Sequence, residues 1–457
     1  MIPLISHRLL LLLAVATLLA VALAAWQLAK RHKIRVLLCL VLAALLGTST
    51  VAARINFVGK FVPTWGGLFS LITASNDSGN VVPIAAAKKA NYHADFTEVT
   101  DRQIWAENLG GELLETTFRG PNSQVENRVF VWAPTGWQKM QNLPVVEFLH
   151  GFPGAPEKVP QQLELGKGIS QLVQSGKIPP LLVVMPFLNA DAQAPDCVDI
   201  AGRPAIGTWT ARDIPELIKA NFPAATDAQH WTLGGISAGA YCAGILSMQE
   251  PKTFGSTFIF SGYDHPLLGG LTNPQLQSEY TLTNMLQKSG AMNIYATAAG
   301  DDAEAIQLLK NLQNTARPQD IVVTDYSKVG AHNWETWAKD FARALPWKAD
   351  LEQGKVHNSE FTNNWESHKL GIWSIFGVFA LLALCSGIYI VRQLHKPRLS
   401  PESTTIIRRG GRNFMNYFQC GIFAAALMGG ILLLINRSTQ TVGGLTDISA
   451  LLNLLGL

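Results

Sequence analysis

Trp231-Thr232-Leu233-Gly234-Gly235-Ile236-Ser237-Ala238-Gly239-Ala240-Tyr241-Cys242-Ala243 is the stretch on which the fold turns. Residues 231–234 read as a strand, and Ala240 to Met248 reads as a helix of small residues. Between them lies Gly-x-Ser-x-Gly at 235–239. A sharp strand-to-helix turn lifts the serine hydroxyl above a sheet, and flanking glycines let neighbouring backbones pass closely. With 39 glycines in 457 residues, about 0.2 chance matches to this pattern are expected, so its strand and helix context carries the meaning.

Working outward, Pro144 to Leu149 and Pro180 to Met185 are nearly continuous apolar runs, as expected of central strands in a parallel sheet covered on both faces. Gln161 to Ser175 between them has helical spacing. Asp213 to Asn221 reads as a helix with an acidic cap and a proline in its first turn. Ser256 to Ser261, Asn293 to Ala298 and Ile321 to Tyr326 add strands, and Trp334 to Ala344 a last helix. Upstream, Glu112 to Arg119 and Asn127 to Ala133, separated by Gly120-Pro121-Asn122-Ser123, fit an opening hairpin. Strands alternating with helices predict a doubly wound, mostly parallel α/β sheet.

A serine hydroxyl is a poor nucleophile until a base takes its proton. Of ten histidines, His332 in Val329-Gly330-Ala331-His332-Asn333-Trp334 fits best, in the loop between the last strand and last helix. His230 starts the strand feeding Ser237, and His265 follows a strand end. The acid that orients the imidazole should leave a strand between nucleophile and base. Gly300-Asp301-Asp302 supplies two carboxylates there. Asp302 is preferred and Asp301 is the alternative, with Glu304 and Asp264 as outsiders. The oxyanion needs backbone donors. Phe152, in Leu149-His150-Gly151-Phe152-Pro153-Gly154, and Ala238 after the nucleophile are the expected pair, since Pro153 cannot donate. His150 reads as a structural support of that loop.

Composition places this unit between apolar ends. The chain is 48% hydrophobic and 15% charged, with a mean hydropathy of +0.17, which excludes a disordered chain. A net charge of +3 implies no polyanionic partner, and no basic stripe suggests nucleic acid. Leu9 to Ala29, Val36 to Ala53, Leu370 to Val391 and Phe418 to Ile435 approach or reach the roughly 20 residues that span a bilayer. Gly421, Gly429 and Gly430 are expected to allow close helix packing. Basic loops at Lys30 to Arg35 and Arg392 to Arg412 assign those loops to the cytoplasm and the middle segment to the outside. An extracytoplasmic segment permits a disulfide between Cys197 and Cys242. No CxxC or Cys/His cluster suggests a metal, and the chemistry needs no cofactor.

The expected organisation is therefore two membrane helices in 1–53, an extracytoplasmic linker over 54–109, an α/β domain carrying the Ser237 turn over 110–347 and a second linker over 348–369. Two more membrane helices over 370–437 and an amphipathic interfacial tail over 438–457 complete it.

With these residues in hand, the middle segment resembles the putative-esterase family of α/β hydrolases, which includes S-formylglutathione hydrolase, enterochelin and feruloyl esterases and the mycolyltransferases. The shared features are Leu-His-Gly at 149–151, Gly-Thr-Trp at 207–209 with Asp213-Ile-Pro, Gly-Gly-Ile-Ser-Ala-Gly-Ala-Tyr-Cys-Ala at 234–243, Ser261-Gly262-Tyr263 and Gly-Ala-His-Asn-Trp at 330–334. The resemblance implies serine-esterase chemistry through an acyl-enzyme. It departs from the family where Asp301 and Asp302 follow Gly300 directly. Paired membrane helices on both sides look like envelope proteins of mycolate-bearing bacteria, which implies a lipid or glycolipid ester such as an acyl-trehalose as substrate. The competing expectation is a non-catalytic, hydrolase-like scaffold whose helices bind envelope proteins.

Overall fold

The computed structural model describes residues 4, 6–59, 65, 80–101, 105, 110–152, 154–189, 197–267, 271, 273–300, 302–356, 369–395 and 406–439. They form two compact units, residues 1–64 with 368–457, and residues 65–367. In the first unit, helices α1 (His7–Ala29) and α2 (Lys33–Gly59) join two helices from the far end of the chain, Lys369–His395 and Ile406–Thr439. Four windows in these helices are long and apolar enough to cross a bilayer: His7–Ala29, Lys33–Phe57, Gly377–His395 and Phe414–Leu432. Small side chains bring them together, with Ala24, Ala25 and Leu28 packed on Val36, Cys39, Leu40, Ile390 and Cys420. Of the three glycines expected to permit close packing, only Gly429 does so tightly. A Cβ there would lie 2.5 Å from the Phe379 ring, whereas Gly430 has open space and Gly421 meets only Val21 at 4.0 Å.

The second unit is built on a nine-stranded sheet. Its strands are β2 (Thr97–Glu98), β3 (Gly111–Arg119), β4 (Glu126–Pro134), β5 (Val145–Leu149), β6 (Leu182–Pro186), β8 (Trp231–Ile236), β9 (Ser256–Phe260), β10 (Asn293–Ala299) and β11 (Ile321–Ser327). Their order is β11-β10-β9-β8-β5-β6-β4-β3-β2. The strands from β6 to β11 in that order run parallel, and β4, β3 and β2 close one edge antiparallel. β1 (Val81–Val82) pairs antiparallel with β7 (Asp199–Ile200) in a separate two-stranded sheet. β5, β6, β8 and β9 are buried along their whole length, because helices cover both faces.

On one face lie α3 (Leu165–Gln174) and, from the end of the unit, the helix Trp334–Glu352. On the other lie α4 (Ile214–Asn221), α5 (Ala238–Gln249), α6 (Leu282–Lys288) and α7 (Ala303–Thr315). Trp334–Glu352 is α8, and the two helices that return to the first unit, Lys369–His395 and Ile406–Thr439, are α9 and α10. Trp132, Trp209 and Trp231 are fully buried between these layers, each contributing a few kcal/mol of hydrophobic stabilisation, about the upper end for a single side chain. Glu147 interrupts the apolar run of β5. It is fully buried, neither carboxyl oxygen has a hydrogen-bond partner, and burial, which disfavours the charged form, pushes its pKa well above the ordinary glutamate value.

Three expectations are corrected. The helix expected over Gln161 to Ser175 is two pieces, Val159–Gln162 and α3, because Glu164 between them has φ +50°. Asp213 precedes α4 but does not cap it. Its carboxylate instead accepts from Asn122 N–H at 3.0 Å, Asn122 Nδ2 at 2.7 Å and Ser123 N–H at 2.9 Å, stapling the hairpin turn to the helix. Within the expected linker 54–109, α2 continues to Gly59 and β1 and β2 form. Two-residue strands carry too little alternation to show in sequence. The tail from 440 and the stretch 357–368 lie outside the described residues.

Candidate active site

β8 ends at Ile236 and α5 begins at Ala238, so a single residue, Ser237, makes the turn. Its backbone has φ +54° and ψ −119°, a conformation that costs a non-glycine residue about 1–3 kcal/mol and persists only where the surroundings enforce it. Those surroundings are the glycines. A Cβ on Gly235 would lie 2.5 Å from the Gly239 carbonyl, and one on Gly239 would lie 2.4 Å from the His150 carbonyl oxygen. Ser237 N–H donates to Phe260 O at 3.0 Å, which locks the turn onto β9.

The loop after β5 passes directly over this turn, since a Cβ on Gly151 would sit 3.3 Å from Ser237 Cβ. His150, only 1% exposed, organises it. Its Nε2 accepts from Leu188 N–H at 3.1 Å, so Nδ1 carries the proton and donates to Gly151 O at 2.8 Å. Burial lowers its pKa to about 4, so the ring is neutral. Because a trans peptide sets C=O and N–H on opposite sides, holding Gly151 O also fixes the direction of the Phe152 N–H. Asn189 Nδ2, donating to Gly154 O at 2.9 Å, ties down the far end of the loop. Ala238 is fully buried as the first residue of α5, where N–H groups have no intrahelical acceptor.

His332 follows β11, and Asp302 follows β10. His332 Nδ1 lies 2.8 Å from Asp302 Oδ2, with the histidine side chain 25% exposed and the aspartate 9%. Gly300 and Gly330 let the two loops approach. Gly300 has φ +56° and a Cβ there would overlap Gly330 O at 2.2 Å. Tyr326 OH donates to Gly300 O at 2.7 Å. The His332 loop is stapled to α8, because Asn333 Oδ1 accepts from Thr336 N–H at 3.0 Å and Thr336 Oγ1 accepts from Ala331 N–H at 3.0 Å. The Trp337 ring stands edge-on to the imidazole at 5.2 Å.

Ser237, Asp302 and His332 thus all leave the carboxyl ends of parallel strands β8, β10 and β11, with the β5 loop beside them. Asp301 lies outside the described residues. Asp264 is committed elsewhere, accepting from Thr283 N–H and from Asn311 Nδ2. Glu304 is exposed in the first turn of α7. His230 pairs with Asp227 at 2.7 Å at the start of β8, the opposite end of the sheet from Ser237. Cys197 and Cys242 are joined by a disulfide, which ties the segment carrying β7 to α5. Sequence reasoning missed Thr336, Tyr326 and Asn189, whose residue types give no signal apart from Asn333 and Thr336 as helix-capping types. Among the described residues, no group of three or more His, Cys, Asp or Glu side chains is placed to hold a metal ion.

Residues 122–348 match the family described as "Putative esterase". The chain is 26% identical over 330 residues to an uncharacterised protein of Corynebacterium glutamicum, covering 65% of this chain and 72% of that protein. It is 23% identical over 171 residues to an acetyl esterase of Caldicellulosiruptor saccharolyticus, covering 32% of this chain and 64% of that protein. Among solved structures, a ferulic acid esterase aligns with a TM-score of 0.46 and 16% identity, covering 53% of this chain and 100% of that one. An S-formylglutathione hydrolase from Agrobacterium tumefaciens aligns with a TM-score of 0.43 and 16% identity, covering 53% and 96%.

Proposed function

From a chain that carries an esterase-family α/β-hydrolase domain, we propose a membrane-anchored serine ester hydrolase or acyltransferase whose domain faces the extracytoplasmic side and whose substrate is a lipid or glycolipid ester, such as an acyl-trehalose. The observation that carries the chemistry is the 2.8 Å contact of His332 Nδ1 with Asp302, at the same sheet end as a serine held at φ +54°.

In this reading Ser237 Oγ attacks the acyl carbonyl while His332 Nε2 takes its proton. Asp302 holds Nδ1–H, fixes the tautomer and stabilises the imidazolium as it forms. The Phe152 and Ala238 N–H groups receive the oxyanion, each contributing about 2.7–4 kcal/mol of barrier lowering in comparable sites. Collapse expels the alcohol, protonated by His332, and leaves an ester on Ser237. Water or a sugar hydroxyl, deprotonated by the same imidazole, then releases the acyl group.

Four apolar helices support membrane anchorage, and tethering raises the local concentration of a lipid substrate. The Cys197–Cys242 disulfide supports an oxidising compartment, in agreement with the basic loops that assign the helix connections to the cytoplasm. A fluorophosphonate probe applied to the membrane-embedded chain tests the chemistry. Labelling that Ser237→Ala abolishes is expected, and an unlabelled wild type would leave the scaffold reading in its place. Mass spectrometry of envelope lipids from cells carrying Ser237→Ala tests the substrate. One esterified class should accumulate, and an unchanged profile overturns the envelope-lipid assignment.

A further inference from the structure

β10 and β11 present Tyr295, Thr297 and Asp325 on the face that α8 covers, and Thr297 and Asp325 are direct register partners. The buried stripe of α8 includes Trp337, Phe341 and Ala344, and Asp340 sits among them at 1% exposure. Thr297 Oγ1 donates to Asp340 Oδ2 at 2.7 Å, and Arg343 Nη2 donates to Asp340 Oδ1 at 2.6 Å. Arg343 Nε also donates to Asp325 Oδ2 at 2.7 Å, and Tyr295 OH donates to the same oxygen at 2.8 Å.

The Asp340 end of this ionic cluster is buried, while the Arg343 and Asp325 side chains are 42% and 26% exposed. A buried carboxylate is seldom the most stable filling for such a position, since apolar side chains of similar volume commonly do as well or better. What it provides is a directional bond that a sliding apolar contact lacks. Its location gives that direction a use. Thr297 lies five residues before Asp302 on β10, and Asp340 lies eight residues after His332. Trp337, one turn before Asp340, is the ring against the His332 imidazole.

We propose that Thr297 and Asp340 form a positioning clasp that sets the seating of α8 on β10 and, through Trp337, the alignment of His332 with Asp302 and Ser237. The clasp rests on the serine-hydrolase reading above. Burial raises the Asp340 pKa to about 7. The groups facing it are Thr297 and Tyr295 from β10, Asp325 from β11 and Arg343 from its own helix. The carboxylate form accepts from both Thr297 and Arg343, so the clasp is complete when Asp340 is ionised and loosens when it is protonated.

The test uses the full chain in detergent, with p-nitrophenyl butyrate as the probe and rates expressed per fluorophosphonate-labelled site, so that unfolded molecules are not counted. Thr297→Val is expected to lower kcat about tenfold with KM within twofold, and Thr297→Ser to restore it. Asp340→Asn is expected to lower kcat similarly, the double variant Thr297→Val, Asp340→Asn to be no worse than the poorer single, and the acid limb of log kcat against pH in Asp340→Asn to lose a step of about one log unit near pH 7. A kcat within twofold of wild type in Thr297→Val, a change confined to KM, multiplicative losses in the double variant or an unaltered acid limb would each overturn the clasp. A wild type that is not labelled at Ser237 overturns the hydrolase reading itself, whereas a labelled wild type with an unaffected Thr297→Val removes the clasp alone.

Discussion

Removing the Cys197–Cys242 disulfide should destabilise the hydrolase unit by an amount that the chain connectivity sets. The bond closes a sequence separation of 45 residues. Loop-closure entropy for that length, taken as 2.1 plus 1.5R ln n cal/mol/K, amounts to about 4 kcal/mol at 25 °C. Both sulfurs are buried, so alanine is a better replacement than serine, which would bury two hydroxyls. For a unit of this size about 4 kcal/mol corresponds to a fall in Tm of roughly 10 °C. The assay is loss of fluorophosphonate labelling after heating the detergent-solubilised chain through a temperature series. It compares untreated wild type, wild type reduced with dithiothreitol and the double variant Cys197→Ala, Cys242→Ala. Reduction and double substitution should give shifts of similar size, since both release the same loop. The reasoning fails if reduction, verified by thiol counting, moves the midpoint by less than about 3 °C. It also fails if only the alanine variant is affected, because the effect would then be a packing loss at Cys242.

Asp302→Asn should keep the fold and lower kcat by about 10⁴-fold, since the amide favours the wrong imidazole tautomer; a loss under tenfold on p-nitrophenyl butyrate would remove Asp302 from the proposed site. His150 binds its proton less tightly folded than unfolded, so between pH 6.5 and about 4 the unfolded state carries more protons and stability falls as pH falls. That loss approaches about 3 kcal/mol once the pH is below 4, and denaturant midpoints for wild type against His150→Gln should lose that part of the slope. Glu147 has the opposite sign. Its folded pKa lies above the ordinary 4.5, so its contribution to stability falls as pH rises from 4.5 towards the folded pKa, and Glu147→Gln should flatten that decline in urea titrations across pH 5 to 9. A steeper decline in the variant would mean that the carboxyl has a partner in solution.

Several of these features were open to sequence reasoning because they are local. Apolar runs at Val145–Leu149 and Leu182–Pro186 announce buried parallel strands. The glycines around Ser237 announce a turn where backbones nearly touch, and the measured approaches at Gly235 and Gly239 are too close for any side chain. The same reasoning misjudged Asp213, because an aspartate before Ile-Pro-Glu looks like a cap until a hairpin turn 90 residues earlier claims its oxygens. It read residues 54–109 as a linker, because strands as short as β1 and β2 leave no periodic trace.

By itself, then, the sequence determined the class of sheet, the strained turn at Ser237, the four apolar helices and a short set of candidate partners for the serine, all consequences of neighbours along the chain. Only the tertiary structure decided which carboxylate meets His332, how His150 aims the loop over Ser237, and that Asp340 reaches Thr297. Those contacts join residues 30 to 43 positions apart, from different strands, helices and loops. Their distances depend on sheet order and helix seating, which the sum of packing across the whole core sets and which no local pattern encodes.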